Sequence, residues 1–298
     1  MNSPLAGKVV VITGGTRGLG VAMAEAFGDA GAVVVVGSRS ARSVEEAVAH
    51  LTARGGRAGG YACDVSDLAQ VQALKEHALT TFGQIDVWVN NAGTGGPYGP
   101  TAHIPPVEFE TVLRTNIFGA YHGSWVALQH FLPQKHGKLI NILGQGEQGP
   151  VAMQNAYASS KGWLRSFTLA LAKEYADSGV GIFAFNPGMM ATELLTQLDV
   201  VAGYEERLKI MPTIIRMFAK PVSAPAQKVV WLAGPATDGH TGMVVRQFKP
   251  WDALAGALRE GMRRLLKQEA PSLEMHYRTI PAALGAEAPH IENHTNRQ

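Results

Sequence analysis

The run Thr13-Gly14-Gly15-Thr16-Arg17-Gly18-Leu19-Gly20 constrains this chain most, because an apolar stretch over residues 8–13 enters it and helical composition over 21–30 follows. A strand that turns at once into a helix needs glycines. Gly14, Gly18 and Gly20 let the backbone bend sharply, approach a ligand and pack the helix against the sheet. The helix N-terminus then offers free N–H groups and a favourable dipole to an anion such as a pyrophosphate. A tight turn holding no ligand is the plain alternative, and on the turn alone the two readings stand level.

The rest of the chain repeats the alternation. Strand-length apolar runs at 33–37, 85–89, 138–143 and 180–185, with a short one at 60–62, are separated by a polar segment at 43–54 and helical stretches at 67–82, 107–132 and 154–178, and a last strand is expected at 243–248. This order predicts an α/β, Rossmann-type fold, a doubly wound parallel sheet in three layers forming a single domain with a C-terminal helical extension. Residues 1–250 are assigned to the domain. Within it, 188–221 is rich in Met, Leu and Ile with little clear order, which suits a mobile lid over a substrate pocket. In the extension, residues 251–298, Trp251, Leu254, Ala255, Leu258, Met262 and Leu265 fall on one helical stripe expected to pack on the chain's own body or on a second subunit. Pro271, Pro281 and Pro289 then predict an irregular end, with the last dozen residues disordered.

Charge and composition remove several functions. The 26 basic and 24 acidic side chains leave a formal charge of +2, so a nucleic-acid partner has no electrostatic support. The longest purely aliphatic run, 33–36, is far short of the ~20 residues that cross a bilayer. Residues 1–8 show no leader-peptide pattern, and a soluble cytoplasmic protein without a membrane partner is expected. Cys63 is the single cysteine, which excludes an intramolecular disulfide and a Cys-based zinc cluster. His103, His122 and His240 have no metal-ligand spacing, and no metal is expected.

The identity of a dinucleotide would be decided at the end of the second strand. An acid there binds the ribose hydroxyls of NAD; this chain has Ser38 followed by Arg39, and Arg17 in the turn adds a second cation. A hydroxyl and guanidinium groups bond to a 2′-phosphate that an acid would repel, so NADP(H) is the expected cofactor.

These motifs resemble the short-chain dehydrogenase/reductase superfamily. Thr13 to Gly20 matches its Thr-Gly-x-x-x-Gly-x-Gly, Asp64-Val65 its adenine-contacting pair, and Asn90-Asn91-Ala92-Gly93 its Asn-Asn-Ala-Gly element. Asn116 stands at the active-site asparagine, Tyr157 and Lys161 match Tyr-x-x-x-Lys, and Asn186-Pro187-Gly188 with Thr192 matches the segment that approaches the nicotinamide. The resemblance runs from about residue 8 to 248 and implies that Tyr157 exchanges the proton, Lys161 also holds the nicotinamide ribose, and Asn116 secures a water chain. It further implies a homodimer or homotetramer, with the Tyr157 helix near a subunit boundary and Trp163 or Phe167 available to pack there.

Residues four apart share one helix face, so Lys161 is expected to stabilise the Tyr157 phenolate and bring its pKa down from about 10. One departure stands out. Where the family places a serine that polarises the substrate oxygen, this chain has Gly144, preceded by Leu143. Loss of an oxyanion donor typically costs on the order of 10²–10³ in rate, so either another group substitutes, with Gln145 the nearest in sequence and Gln154, Asn155 and Thr94 as other candidates, or the substrate does not need it. Three readings stay open: an NADP(H)-dependent ketone/alcohol oxidoreductase acting on a hydrophobic, bulky substrate; reduction or isomerisation of an activated C=C bond; and an NADP(H)-binding sensor or scaffold with little turnover.

Overall fold

Valine and isoleucine fill the strands because both faces of a parallel sheet are covered by helices. The computed structural model describes residues 3–248, 250–266, 268–269 and 273–283; the disorder expected for the last dozen residues lies outside the described residues. Along the chain come β1 (Val9–Thr13), α1 (Gly18–Asp29), β2 (Val33–Ser38), α2 (Ala41–Ala53), β3 (Arg57–Ala62), α3 (Leu68–Phe82) and β4 (Val87–Asn90). Then follow α4 (Pro106–Leu113), α5 (Gly119–Gln134), β5 (Lys138–Ile142), α6 (Asn155–Glu174) and β6 (Gly181–Asn186). The sheet order is β3-β2-β1-β4-β5-β6-β8, with β8 at Val244–Arg246, and every described pair is parallel. Strand order reverses between β1 and β4, the position at which open α/β sheets form a ligand crevice beyond their C-terminal strand ends. Val10, Ile12, Val34 and Val36 pack on one side with Met23 and Phe27 of α1, while Val9, Val11, Val33 and Val35 pack on the other with Leu74 of α3 and Phe131 of α5.

Several expectations change. The polar segment at 43–54 is helix α2, capped by the Ser40 side chain, which accepts from the Ser43 N–H at 3.2 Å. The single long helix expected at 107–132 is interrupted by a π-helical turn, Arg114–Phe118, between α4 and α5. Such an inserted residue re-aims side chains without ending the helix.

The stretch 188–221 is ordered. It holds α7 (Glu193–Thr196), β7 (Gln197–Val201), a 3₁₀ turn (Glu205–Ile210) and α8 (Met211–Phe218), before α9 (Ser223–Ala233). The cause lies in the tail, where an irregular end was expected: β9 (His276–Ile280) pairs in parallel with β7. Arg278 donates twice to the Asp199 carboxylate, at 2.7 and 2.6 Å, and Ile280 joins a small core of Ile104, Leu198, Val200, Val201, Tyr204 and Leu208. The Ala283 N–H bonds the His103 carbonyl at 2.9 Å, tying this strap to the loop after β4.

Helix α10 (Pro250–Leu265) bears on one of the two alternatives expected for the stripe. Gly256 lies against the Met217 carbonyl of α8, Lys220 pairs with Asp252 at 2.7 Å, and Glu260 is buried, so the apolar residues point outward. Leu254, Leu258 and Met262 are 63%, 60% and 61% exposed, so that stripe is not packed on the described residues of the chain's own body. Among the described residues no helix is long and apolar enough to cross a membrane.

Candidate active site

The glycine-rich turn closes as its sequence requires. Gly14 and Gly18 have φ of +64° and +53°, values that L side chains adopt at a cost, and a methyl on Gly20 would collide with the Gly14 carbonyl oxygen. The end of β4 clamps the turn: the Asn91 amide donates to the carbonyls of Thr13 at 3.0 Å and Gly14 at 2.9 Å, and the N–H groups of Asn91 and Ala92 donate to Thr13 Oγ1. Helix α1 then starts with no side-chain cap at Arg17 and no acid in its first turn. Its first N–H groups therefore lack a side-chain acceptor at the cap and are suited to an anion, which fits a pyrophosphate.

Ser38 ends β2 partly buried and Arg39 beside it is exposed. Arg17 points elsewhere: its Nη1 donates to Glu193 Oε2 at 2.9 Å, linking the turn to the stretch 188–221, and Thr192 lies 3.5 Å from where a Gly18 methyl would be. Asp64 accepts from the Ser66 N–H and hydroxyl at 2.9 and 2.8 Å, and the Val65 carbonyl lies 2.9 Å from His122 Nδ1.

Around the phenol, the π turn puts Asn116 inward. Its amide donates to the Thr94 carbonyl and the Ser160 hydroxyl, both at 3.0 Å, and its oxygen accepts from the Thr94 N–H at 2.9 Å. The Ser160 hydroxyl donates to the Tyr157 carbonyl at 2.6 Å, joining the π turn to α6. Lys161 is buried, and its Nζ donates to the Ile142 carbonyl at 3.0 Å. A methyl on Gly93 would lie 3.3 Å from Asn116 Oδ1 and 3.8 Å from Lys161 Nζ, so Gly93, Asn116 and Lys161 meet at one place.

Gly144 decides where the phenol sits. A methyl there would stand inside contact distance of the Tyr157 hydroxyl and 3.1 Å from its Cζ, so the tyrosine hydroxyl occupies space beside a bare backbone. Tyr157 keeps part of its residue surface exposed while its hydroxyl end is enclosed, and enclosure of the titrating oxygen pushes its pKa up to about 12. The expected downward shift is therefore not what this cleft shows. The Lys161 ammonium is 5.5 Å from the centre of the Tyr157 ring, and burial lowers its own pKa to about 8.

Gln145 is exposed, and the Asn155 amide turns away to Thr101 Oγ1 at 3.1 Å. Gln154 precedes α6 without capping it by a side-chain bond, and both Thr94 backbone groups are held by Asn116. Sequence reasoning missed Glu147, whose side chain is 3% exposed. It accepts from Arg246 Nε at 2.6 Å and lies 3.2 Å from Arg165 Nε. Asn186 joins this group, donating to the Gly144 carbonyl at 3.2 Å and accepting from the Gly188 N–H at 3.0 Å. Arg246 stands 99 residues away from Glu147, so no local pattern could have announced the cluster. A cavity of about 560 Å³ lies at the opposite, N-terminal end of the strands, lined by Lys8, Asp86 and Lys138 among others. Tyr157, Lys161 and Asn116 lie at the other end.

Residues 8–200 match the family model for short chain dehydrogenases. The chain belongs to the short-chain dehydrogenase family. Among curated relatives, glucose 1-dehydrogenase 2 of Bacillus subtilis is 32% identical over 244 residues, 81% of this chain and 93% of that protein. The 3beta-hydroxysteroid dehydrogenase 1 of Eggerthella lenta is 35% identical over 81% of this chain and 92% of its own length. Among solved structures, the 3-ketoacyl-(acyl-carrier-protein) reductase of Brucella melitensis complexed with NADH superposes with a TM-score of 0.73 at 30% identity, covering 82% of this chain and 97% of that one. A variant of actinorhodin polyketide ketoreductase with NADPH gives 0.74 at 26% identity, over 83% and 97%. This dehydrogenase thus carries the parallel seven-stranded sheet of its relatives.

Proposed function

We propose that this short-chain dehydrogenase interconverts a ketone and a secondary alcohol with NADP(H), using Tyr157 as the acid and base. The observation that carries the reading is the enclosed Tyr157 hydroxyl against Gly144, one helical turn from buried Lys161. A phenol with its pKa pushed up to about 12 is protonated at neutral pH, so it is set to donate to a carbonyl oxygen in the reductive direction. Lys161 orients the ribose and Asn116, fixed in the π turn, holds the proton path. Gln145 or a group on the substrate supplies any further bond to the oxygen. The relatives named for hydroxysteroid and keto substrates support the reaction class.

NADP(H) supplies or accepts the hydride. Gly14, Thr16, Gly18, Leu19 and Gly20 would hold its pyrophosphate, Ser38 and Arg39 its 2′-phosphate, and Asp64 and Val65 its adenine, while Arg17 is held by Glu193. Asn91, Ala92, Gly93, Pro187, Gly188 and Thr192 would line the nicotinamide end. A hydrophobic substrate is supported by Met189 and Met190, partly exposed beyond β6, and by Leu194, 41% exposed on the lid. A homodimer or homotetramer through α5 and α6 is supported by exposed Phe118, Tyr121 and Trp125 and by Trp163 stacked on Phe167 at 4.7 Å.

The test is NADPH oxidation with a panel of saturated ketones and enones, alongside NADPH and NADH titrations. Arg39→Asp is expected to weaken NADPH binding by roughly 10–100-fold, the scale of a charge-assisted bond, with NADH little changed. Equal affinity for both cofactors, unmoved by Arg39→Asp, would refute the NADP assignment. Because Gly144 removes the second donor, a C=C reduction is the other reading, and turnover of enones with saturated ketones inert would establish it. Tight NADPH binding without turnover would leave a sensor or scaffold.

A further inference from the structure

Helix α10 lies beyond residues 8–200, the part of the chain that the family model matches, and its two faces are sharply divided. Inward, Gly256 abuts Met217, Glu260 is buried, and Arg259 donates to the Arg216 carbonyl at 2.7 Å. Outward, Leu254, Leu258, Met262, Leu265 and Leu266 are each between 59% and 82% exposed. Exposed Ala257 and Gly261 lie between them, small enough to let another helix come close. These five side chains leave roughly 500 Å² of apolar surface open, near the upper end of what a monomer shows in one patch (about 300–600 Å²). That is a large share of the ~800 Å² that each partner contributes to a stable interface.

We infer that this face is a dimer interface in which α10 of a second copy packs against α10 about a two-fold axis near Leu258. A two-fold contact is self-complementary, so one apolar strip covers another of the same length and chemistry without a specialised partner. Two observations set the other occupants aside. Residues 284–298 hold only two large aliphatic side chains, Leu284 and Ile291, too few to cover five. A lipid surface calls for cations beside the apolar strip. Of the cations here whose side chains are described, Arg259 instead bonds the α8 carbonyl, and Arg263 bonds Glu260 at 2.7 Å and the Gln268 carbonyl at 2.7 Å. The contact is separate from the α5/α6 face and does not depend on the proposed reaction.

The experiment measures the mass of the full-length protein in solution by light scattering for the wild type, Leu258→Glu and Met262→Glu, with melting curves as controls. Both variants are expected to halve the mass while melting within a few degrees of the wild type. Leu258→Cys is expected to form a disulfide-linked dimer under mild oxidation, because the native Cys63 is buried and does not compete. Should Leu258→Glu fail to fold, the Leu258→Cys cross-link carries the decision. That cross-link is also expected to survive Trp163→Glu on the other face, which separates the two interfaces. Unchanged mass in both α10 variants together with no cross-link overturns the inference. So does co-sedimentation of the wild type with phosphatidylglycerol vesicles that Leu258→Glu abolishes, which would make the strip a lipid-binding face.

Discussion

Adding one methyl group at Gly144 tests the site directly. The backbone there cannot yield easily: the Leu143 N–H bonds the Phe185 carbonyl at 2.8 Å, and the Gly144 carbonyl accepts from Asn186 at 3.2 Å. Gly144→Ala therefore has to push the phenol, whose Cζ would stand 3.1 Å from the new carbon with the hydroxyl closer still. Restoring ordinary van der Waals spacing takes on the order of 1 Å of movement at the oxygen. A misplacement of that size costs up to about 10²-fold, equivalent to roughly 2.7 kcal/mol of transition-state stabilisation. Overpacking a closed site costs about 1–3 kcal/mol in stability, or several degrees in melting temperature for a chain of this size. The assay follows NADPH absorbance at saturating ketone and separates kcat from KM. The expected result is a fall in kcat near two orders of magnitude with NADPH affinity unchanged. Gly144→Ser adds the same carbon plus a donor, so the ratio of Ser to Ala measures the hydroxyl alone, up to about 10²–10³. Wild-type kcat in Gly144→Ala would show that the position of the phenol against Gly144 does not govern turnover.

Three other results are expected. Tyr157→Phe removes the proton donor without changing packing, and kcat should drop by about 10²–10⁴ with NADPH binding retained; an active Phe variant would move the acid to another group. Burial lowers the Lys161 pKa from 10.5 to about 8, so between pH 8 and 10 the unfolded chain binds more protons than the folded one, and stability attributable to this residue rises with pH. Melting curves should show the wild type gaining on Lys161→Met from pH 8 to 10, and parallel curves would contradict the burial argument. Ile280→Ala empties a buried position in the strap, at about 2–5 kcal/mol for such a truncation. Faster amide exchange across residues 197–204, with the central sheet unaffected, is the expected signature, whereas unaltered exchange in the lid would mean that β9 does not hold it.

Much of the molecule can be read from local pattern. The valine runs at 33–36 and 9–11 state a buried parallel sheet, since only strands covered on both faces dispense with alternation. The glycines at 14, 18 and 20 state a strand-to-helix turn, because the positive φ of Gly14 and Gly18 and the close approach of Gly20 to the Gly14 carbonyl arise within the turn itself. Tyr157 and Lys161 share a face by helical spacing alone. Where sequence reading failed, the cause was distance along the chain. The stretch 188–221 contains a strand because β7 finds β9 some 80 residues later, and neither strand has a reason to form by itself. Glu147 is legible only when Arg165 and Arg246 arrive from α6 and β8.

What the amino-acid order determined by itself was the sheet, the turn and the types of group available for catalysis, all of them consequences of spacing between near neighbours. What only the tertiary structure decided was the environment of those groups. Whether the phenol is raised or lowered in pKa depends on how completely its oxygen is enclosed, and here burial raises it. Whether an apolar helical stripe faces in or out depends on which side finds a partner. In α10 the glycine and the buried glutamate took the inner face, leaving the leucines outside.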